Sequence, residues 1–198
     1  MVNTRERILN ISFQLFLQKN YKEVTLKEIV EKTGMSKGAF YHYFESKEQV
    51  FLECTNFVIS SAMDVYKKIS KNSLLEFYHD FLNHNNLEMF FPASENKDFH
   101  YQLNIFSLFF EGAKLFPSFQ EKLVEITQME LNVWKEIVQL ARQKGEIKSV
   151  MSDEQIAKMF LYSADGAGMH SIFSKGSIQQ AQSSILQLWD SFYEEIKC

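Results

Sequence analysis

Gly34-Met35-Ser36-Lys37-Gly38-Ala39-Phe40-Tyr41-His42-Tyr43-Phe44-Glu45-Ser46-Lys47-Glu48 is the stretch on which the reading of this chain turns. Gly34 stops the helix before it, and Ser36 is the N-cap of a helix from Lys37 to Phe44 barely two turns long. A helix that short does not stand alone, because its nucleus costs more than its few hydrogen bonds return. Phe40, Tyr43 and Phe44 supply the apolar bulk that anchors it to neighbours. Ser36, Lys37, Gly38, Tyr41 and His42 stay small or hydrogen-bonding. Half of this helix belongs to a core and half is offered to a partner.

Upstream, the spacing of Ile8, Leu9, Ser12, Leu15 and Phe16 predicts a helix over 4–19, which Asn20 ends. A second helix over 26–32 buries Ile29 and Val30. Three short helices, the last two joined by Thr33-Gly34-Met35-Ser36, have the proportions of a helix-turn-helix, whose later helix enters the major groove of DNA. Thr25 and Ser36 head two helix N-termini, which attract phosphate. Lys37 reaches a guanine edge or a phosphate, and Gly38 permits close approach. Tyr41 and His42 donate to the backbone or pack on a thymine methyl, and Lys47 is a further phosphate partner.

The run Val24-Thr25-Leu26-Lys27-Glu28-Ile29-Val30, followed by Gly34 to Phe44 and Ser46-Lys47-Glu48, resembles the DNA-binding domain of the TetR family of bacterial regulators. The resemblance covers about the first quarter of the chain. It implies that Thr25, Ser36, Lys37, Gly38, Tyr41, His42 and Lys47 sit at DNA-contacting positions. It also implies a homodimer on a near-palindromic operator. The chain departs from the family pattern at Asn20, Ser12, Thr33 and Ala39. Ala39 puts a methyl group where a hydroxyl is common, which alters one base contact.

Composition agrees with an all-α chain, since 45% of residues are hydrophobic and Gly and Pro number only seven and two. The net charge of -4 is unevenly spread: residues 1–50 carry eight Lys/Arg against six Asp/Glu, and the remainder thirteen against nineteen. Any DNA contact therefore belongs at the front. Cys54 and Cys198 have no metal-ligand or disulfide-framework spacing. With no apolar run of membrane-spanning length and no signal peptide, a cytoplasmic location and no membrane partner are expected.

A helix-start signature, Ser or Thr followed three residues later by Glu or Gln, recurs at Thr25/Glu28, Ser46/Gln49, Ser73/Glu76, Ser118/Glu121, Ser152/Gln155 and Ser177/Gln180, with Asn3/Glu6 a weaker version. It predicts a long helix from Lys47 to about Lys67, then helices over 73–90, 98–114, 118–144, 153–174 and 177–196. A loop falls at Pro92 to Asp98 and a turn at Gly145. The expected architecture is a helix-turn-helix domain over 1–46 and a larger helical ligand-binding and dimerisation domain over 47–198, about nine helices in all.

The aromatic density between Phe77 and Phe119 suits either a core or a ligand cavity, and the resemblance implies that some of these rings line a cavity. Candidate ligand-binding residues are His100, Tyr101, Asn104, Phe106, Phe110, Met129, Trp134, Tyr162, Asp165 and His170, because a few polar atoms fix pose in an apolar pocket. An apolar or aromatic inducer is expected, and no cofactor or metal. The last helix carries one apolar row at Ile178, Ala181, Ile185, Leu188 and Phe192 and a second at Leu186, Trp189, Tyr193 and Ile196. Two rows need two partners, either both within the chain or one in a second subunit. Candidate dimer residues are Ala164, Gly168, Ser171, Ile185, Leu188, Trp189 and Phe192.

Together these readings describe a ligand-responsive regulator, a repressor by family analogy, whose inducer shifts the long helix starting at Lys47. The sequence offers an enzyme little: no phosphate loop, nucleophile elbow or HExxH. A helical interaction module that never touches DNA is the other alternative.

Overall fold

A computed structural model describes residues 4–84, 99–174 and 177–198, without the side chains of 61, 62, 99–103 and 178. Among the described residues lie nine α-helices and no strand: α1 (Thr4–Gln18), α2 (Leu26–Thr33), α3 (Lys37–Tyr41), α4 (Lys47–Lys68), α5 (Leu74–His84), α6 (Phe99–Leu115), α7 (Pro117–Gln143), α8 (Asp153–Phe173) and α9 (Ile178–Ile196). Among the described residues one isolated antiparallel bridge joins Ile147 and Lys197.

The capping signature places these starts. Thr25, Ser36, Ser46, Ser73, Ser152 and Ser177 each accept the backbone N–H three residues on, and Ser152 and Ser177 complete reciprocal capping boxes. Ser118 does not. Helix α7 begins one residue earlier with Pro117 in its first position, where a missing N–H costs nothing, and the Phe116 carbonyl takes the first bonds. Asn3 and the predicted loop from Pro92 to Asp98 lie outside the described residues. Helix α3 is shorter than expected, because the Tyr43 and Phe44 amides both close onto the Phe40 carbonyl and tighten its last turn.

The chain divides into two compact units, Met1–Ser61 with His100–Leu123, and Ala62–Phe99 with Val124–Cys198. The division falls inside α4 and α7 and after the first residue of α6. In the first unit Ile8, Leu15, Phe16, Leu17, Ile29, Phe40, Phe44, Val50 and Phe51 are buried. Phe51 of α4 meets Phe16, Tyr21, Phe116 and Phe119 with ring centroids 5.0–6.4 Å apart. Gly112 is required here: a Cβ on it would come within 2.8 Å of the Phe119 ring and 3.1 Å of Phe51.

In the second unit Tyr66, Phe77, Tyr78, Phe81, Trp134, Phe160, Trp189 and Tyr193 pack into one core. Polar tips of these rings are satisfied inside it, as burial demands. Trp189 Nε1 donates to Ser163 Oγ at 2.8 Å, and the Tyr78 hydroxyl donates to Asp190 at 2.8 Å. Gly145 turns the chain with φ 71°, and the adjacent Glu146 carboxylate accepts the Leu74 and Leu75 amides at the start of α5 and the Tyr193 hydroxyl. A carboxylate at a helix N-terminus satisfies unpaired N–H groups and complements the helix dipole. Arg142 staples the α7–α8 connection through Asp153 and the Ser149 and Met151 carbonyls.

Candidate nucleic-acid interface

Helix α3 is held by its apolar side. Phe40 and Phe44 are fully buried, and Arg5, paired with Glu53, lies 5.2 Å over the Phe44 ring. Helix α2 is locked beside it by Gly34 in the left-handed conformation, φ 67°, and by Arg7, which crosses from α1 to donate to the Thr33 carbonyl at 2.9 Å. With the helix pinned this way, Ser36, Lys37, Gly38, Ala39, Tyr41 and His42 are all exposed, Tyr41 at 44%.

Each exposed residue has a definite capacity. The Thr25 and Ser36 oxygens accept from their own helices at 3.1 and 3.2 Å, which leaves each hydroxyl proton free to donate outward. The Lys37 ammonium lies 5.9 Å over the Tyr41 ring, a cation–π contact that biases both side chains before any partner arrives. A Cβ on Gly38 would meet nothing within 4 Å, so the glycine serves no packing need of its own chain.

Lys47 differs from the rest. Its ammonium donates to the Tyr21 and Val24 carbonyls, both at 2.8 Å, and lies 4.1 Å over the Tyr21 ring. Desolvation lowers its pKa, partly opposed by the Glu111 carboxylate. Two of its three N–H bonds are therefore spent on holding the α1–α2 turn, leaving one for a phosphate.

The candidate ligand residues scatter. Asn104 and Phe106 are half-buried and Phe110 is exposed, all on α6 in the first unit. The side chains of His100 and Tyr101 lie outside the described residues. In the second unit Met129, Tyr162, Asp165 and His170 are exposed, whereas Trp134 is fully buried. Trp134 is a core residue: its ring stacks on Phe160 at 5.2 Å and its N–H donates to the Tyr66 hydroxyl at 3.2 Å. That hydroxyl in turn donates to Glu130 at 3.2 Å. Burial pushes the Glu130 carboxyl up to about 7, the Tyr66 bond pulls it back, and the Asp165 carboxylate adds to the rise. Trp134 and Asp165 are thus gathered around Glu130 and Tyr66, which sequence reasoning missed. The signal was present, since Ile126, Glu130, Trp134 and Val138 share one helical row and place a carboxyl on an apolar face.

Three of the candidate dimer residues, Ser171, Ile185 and Trp189, are buried within the chain itself. Ile185 and Trp189, the latter 1% exposed, lie in the chain's own core, so the row of Trp189, Tyr193 and Ile196 is intramolecular and Ile185 joins it. Ser171 is buried and donates to the Gly168 carbonyl at 2.8 Å. Phe192 is half-buried against Phe160, and Ala164 and Gly168 are half-buried. Leu188 is 53% exposed at a groove of about 460 Å³ between α8 and α9, whose other walls include Ala167, His170 and Ser184.

Comparison with known proteins places this geometry. Residues 8–54 match the family described as bacterial regulatory proteins, tetR family. Among curated relatives, the regulator QacR of Staphylococcus aureus is 36% identical over 67 residues, 34% of this chain and 36% of that one. The repressor AcnR of Corynebacterium efficiens is 33% identical over 75 residues, 38% of each chain. YerO of Bacillus subtilis, an uncharacterised helix-turn-helix regulator, is 38% identical over 36% of this chain and 25% of its own length. The chain thus spans well under half the length of these relatives. Among solved structures, a regulator from Saccharomonospora viridis in complex with choline shares the fold with TM-score 0.75 at 16% identity, covering 98% of this chain and 97% of that one. A structure described as a TetR/AcrR family member shares it with TM-score 0.70 at 23% identity, covering 93% and 97%. Residues 8–54 are thus similar to the tetR family of bacterial regulatory proteins, and the chain shares its fold with these two solved structures.

Proposed function

We propose that the protein is a homodimeric, ligand-responsive DNA-binding repressor, released from a palindromic operator by a small apolar or aromatic molecule. Residues 1–46 read DNA, and residues 47–198 bind ligand and dimerise. The observation that carries this reading is the division of α3: Phe40 is fully buried while Lys37, Gly38, Tyr41 and His42 are all exposed. A helix that spends its apolar side on its own domain and presents small and donor-bearing residues outward is built to enter a groove. Thr25, Ser36 and the remaining Lys47 donor serve as phosphate contacts, which set register without reading sequence. No helix among the described residues is long and apolar enough to cross a membrane. This supports a cytoplasmic site of action, where operator DNA is found.

The dimer forms through the open face of α8 and α9, where Leu188 is exposed at the groove. Apolar side chains clustered around small residues suit close helix packing with a second copy. A second ligand reading, an aromatic molecule with a basic nitrogen, is favoured by Glu130. A carboxyl that accepts from the Tyr66 hydroxyl, on an otherwise apolar face, gives a cation a counter-charge. The solved structure from Saccharomonospora viridis holds choline, an aliphatic cation.

Selection of the purified protein on a library of random duplexes at two salt concentrations tests the DNA reading, with Tyr41→Ala alongside. Enrichment of a palindrome by the wild type, lost in the variant, is expected. Enrichment that survives Tyr41→Ala would remove α3 from the interface.

A further inference from the structure

The turn between α1 and α2 is held from outside itself. Its own bonds are few: Lys19 N–H reaches back to Leu15, and the Glu23 and Val24 amides bond to Asn20. Tyr21 at its apex makes no backbone pair of that kind. Its N–H donates to Glu111 Oε2 on α6 at 2.7 Å, across 90 residues of sequence. Its carbonyl accepts from Lys47 on α4 at 2.8 Å, and the same ammonium holds the Val24 carbonyl. A carboxylate and an ammonium thus clasp one residue from opposite chemical sides. The Tyr21 ring completes the clasp, edge-on to Phe51 and Phe116 with centroids 5.0 and 5.1 Å away.

We propose that Glu111 is a positioning residue for DNA binding: by capturing the Tyr21 amide it fixes the turn that ends in Thr25, and so sets where the N-terminus of α2 meets an operator phosphate. The proposal rests on the DNA-binding reading above. Val24, tied by Lys47, is fully buried, and the next residue is the exposed N-cap, so a shift of the turn moves Thr25 with it. A phosphate contact depends on placement within a hydrogen bond's narrow range, so a displaced cap loses it while α3 stays intact. An anion gains nothing from touching DNA, so Glu111 acts through what it holds: the Tyr21 amide and, electrostatically, the Lys47 ammonium that ties the same turn. Because α6 lies in the same compact unit as α1 to α3, the contact is internal to that unit.

The test uses the full chain, the duplex that the wild type enriches from a random library, and two variants, Glu111→Ala and Glu111→Gln. Hydrogen exchange at the Tyr21 amide is read beside duplex affinity. Glu111→Ala is expected to speed that exchange and weaken duplex binding, each about tenfold, the equivalent of one hydrogen bond. Glu111→Gln keeps an acceptor oxygen and is expected to restore both to within about threefold of wild type. Unchanged affinity in Glu111→Ala with the amide released would overturn the proposal. So would lost affinity with the amide still protected, or a Gln variant as impaired as Ala. If the wild type enriches no duplex at all, the DNA reading fails and takes the proposal with it, whereas a wild type that binds and an Ala variant that binds equally well sink the proposal alone.

Discussion

Helices α3 and α9 are both two-faced, yet their second faces have different fates. In α3 one face is fully buried through Phe40 and the other, Lys37, Gly38 and Tyr41, is exposed and polar or small. In α9 both faces are apolar, and the row through Trp189 and Tyr193 takes Ile185 with it into the core, leaving Leu188 outside. A polar exposed face declares a polar partner by its chemistry. An apolar exposed face declares only that something must cover it, and which row is left over depends on packing against α5 and α8.

The contrast predicts a graded set of effects. Trp189→Ala should be the most damaging, costing about 3–5 kcal/mol, because it empties a site shared with Tyr78, Phe81, Trp134 and Phe160. Denaturant unfolding reads this directly. Leu188→Glu, one residue away, should leave the fold nearly unchanged and shift the dimer to monomer in sedimentation. An unchanged dimer would move the interface off this face.

Glu130→Gln is the next largest. The Glu130 carboxyl is raised to about 7 from an ordinary 4.5, so between these pH values the folded chain holds a proton that the unfolded chain has lost. Raising the pH through that window removes it and lowers stability. Thermal melts of wild type across pH 5 to 8 should show this decline as an additional slope that the Gln variant lacks. Equal slopes would place Glu130 in ordinary solvent.

The smallest effect is a gain. Ser12 is fully buried in α1, and its hydroxyl has no hydrogen-bond partner. Ser12→Ala removes an unsatisfied group without opening a sizeable cavity, and should stabilise by about 1 kcal/mol, or roughly 2–4 °C in melting temperature. A loss of stability would show that the hydroxyl is satisfied by water.

These cases also show how much the sequence disclosed. Caps and periodicity are local, so Thr25, Ser36, Ser152 and Ser177 announced their helices, and Gly34 announced its left-handed turn. The exposed face of α3 was legible for the same reason: anchor and reader residues lie within one short segment. Ser118 misled because Pro117 next to it supplies a stronger start than a capping side chain. The structural duty of Lys47 was not legible, because its two carbonyl partners lie more than twenty residues upstream, beyond any spacing rule. Glu111 and Glu130 escaped for a related reason. Their partners, Tyr21 and Tyr66, come from helices or turns 90 and 64 residues away, and only the fold brings them together.

The central claim is that the exposed face of α3 meets DNA, and the most direct test is the salt dependence of binding to the selected duplex, for wild type and Lys37→Glu. If Lys37 lies against a phosphate, the variant should bind more weakly and its slope of log affinity against log salt should be shallower by about one. An identical slope and affinity in the two proteins, with both folded, would contradict the account and place the DNA elsewhere on the chain.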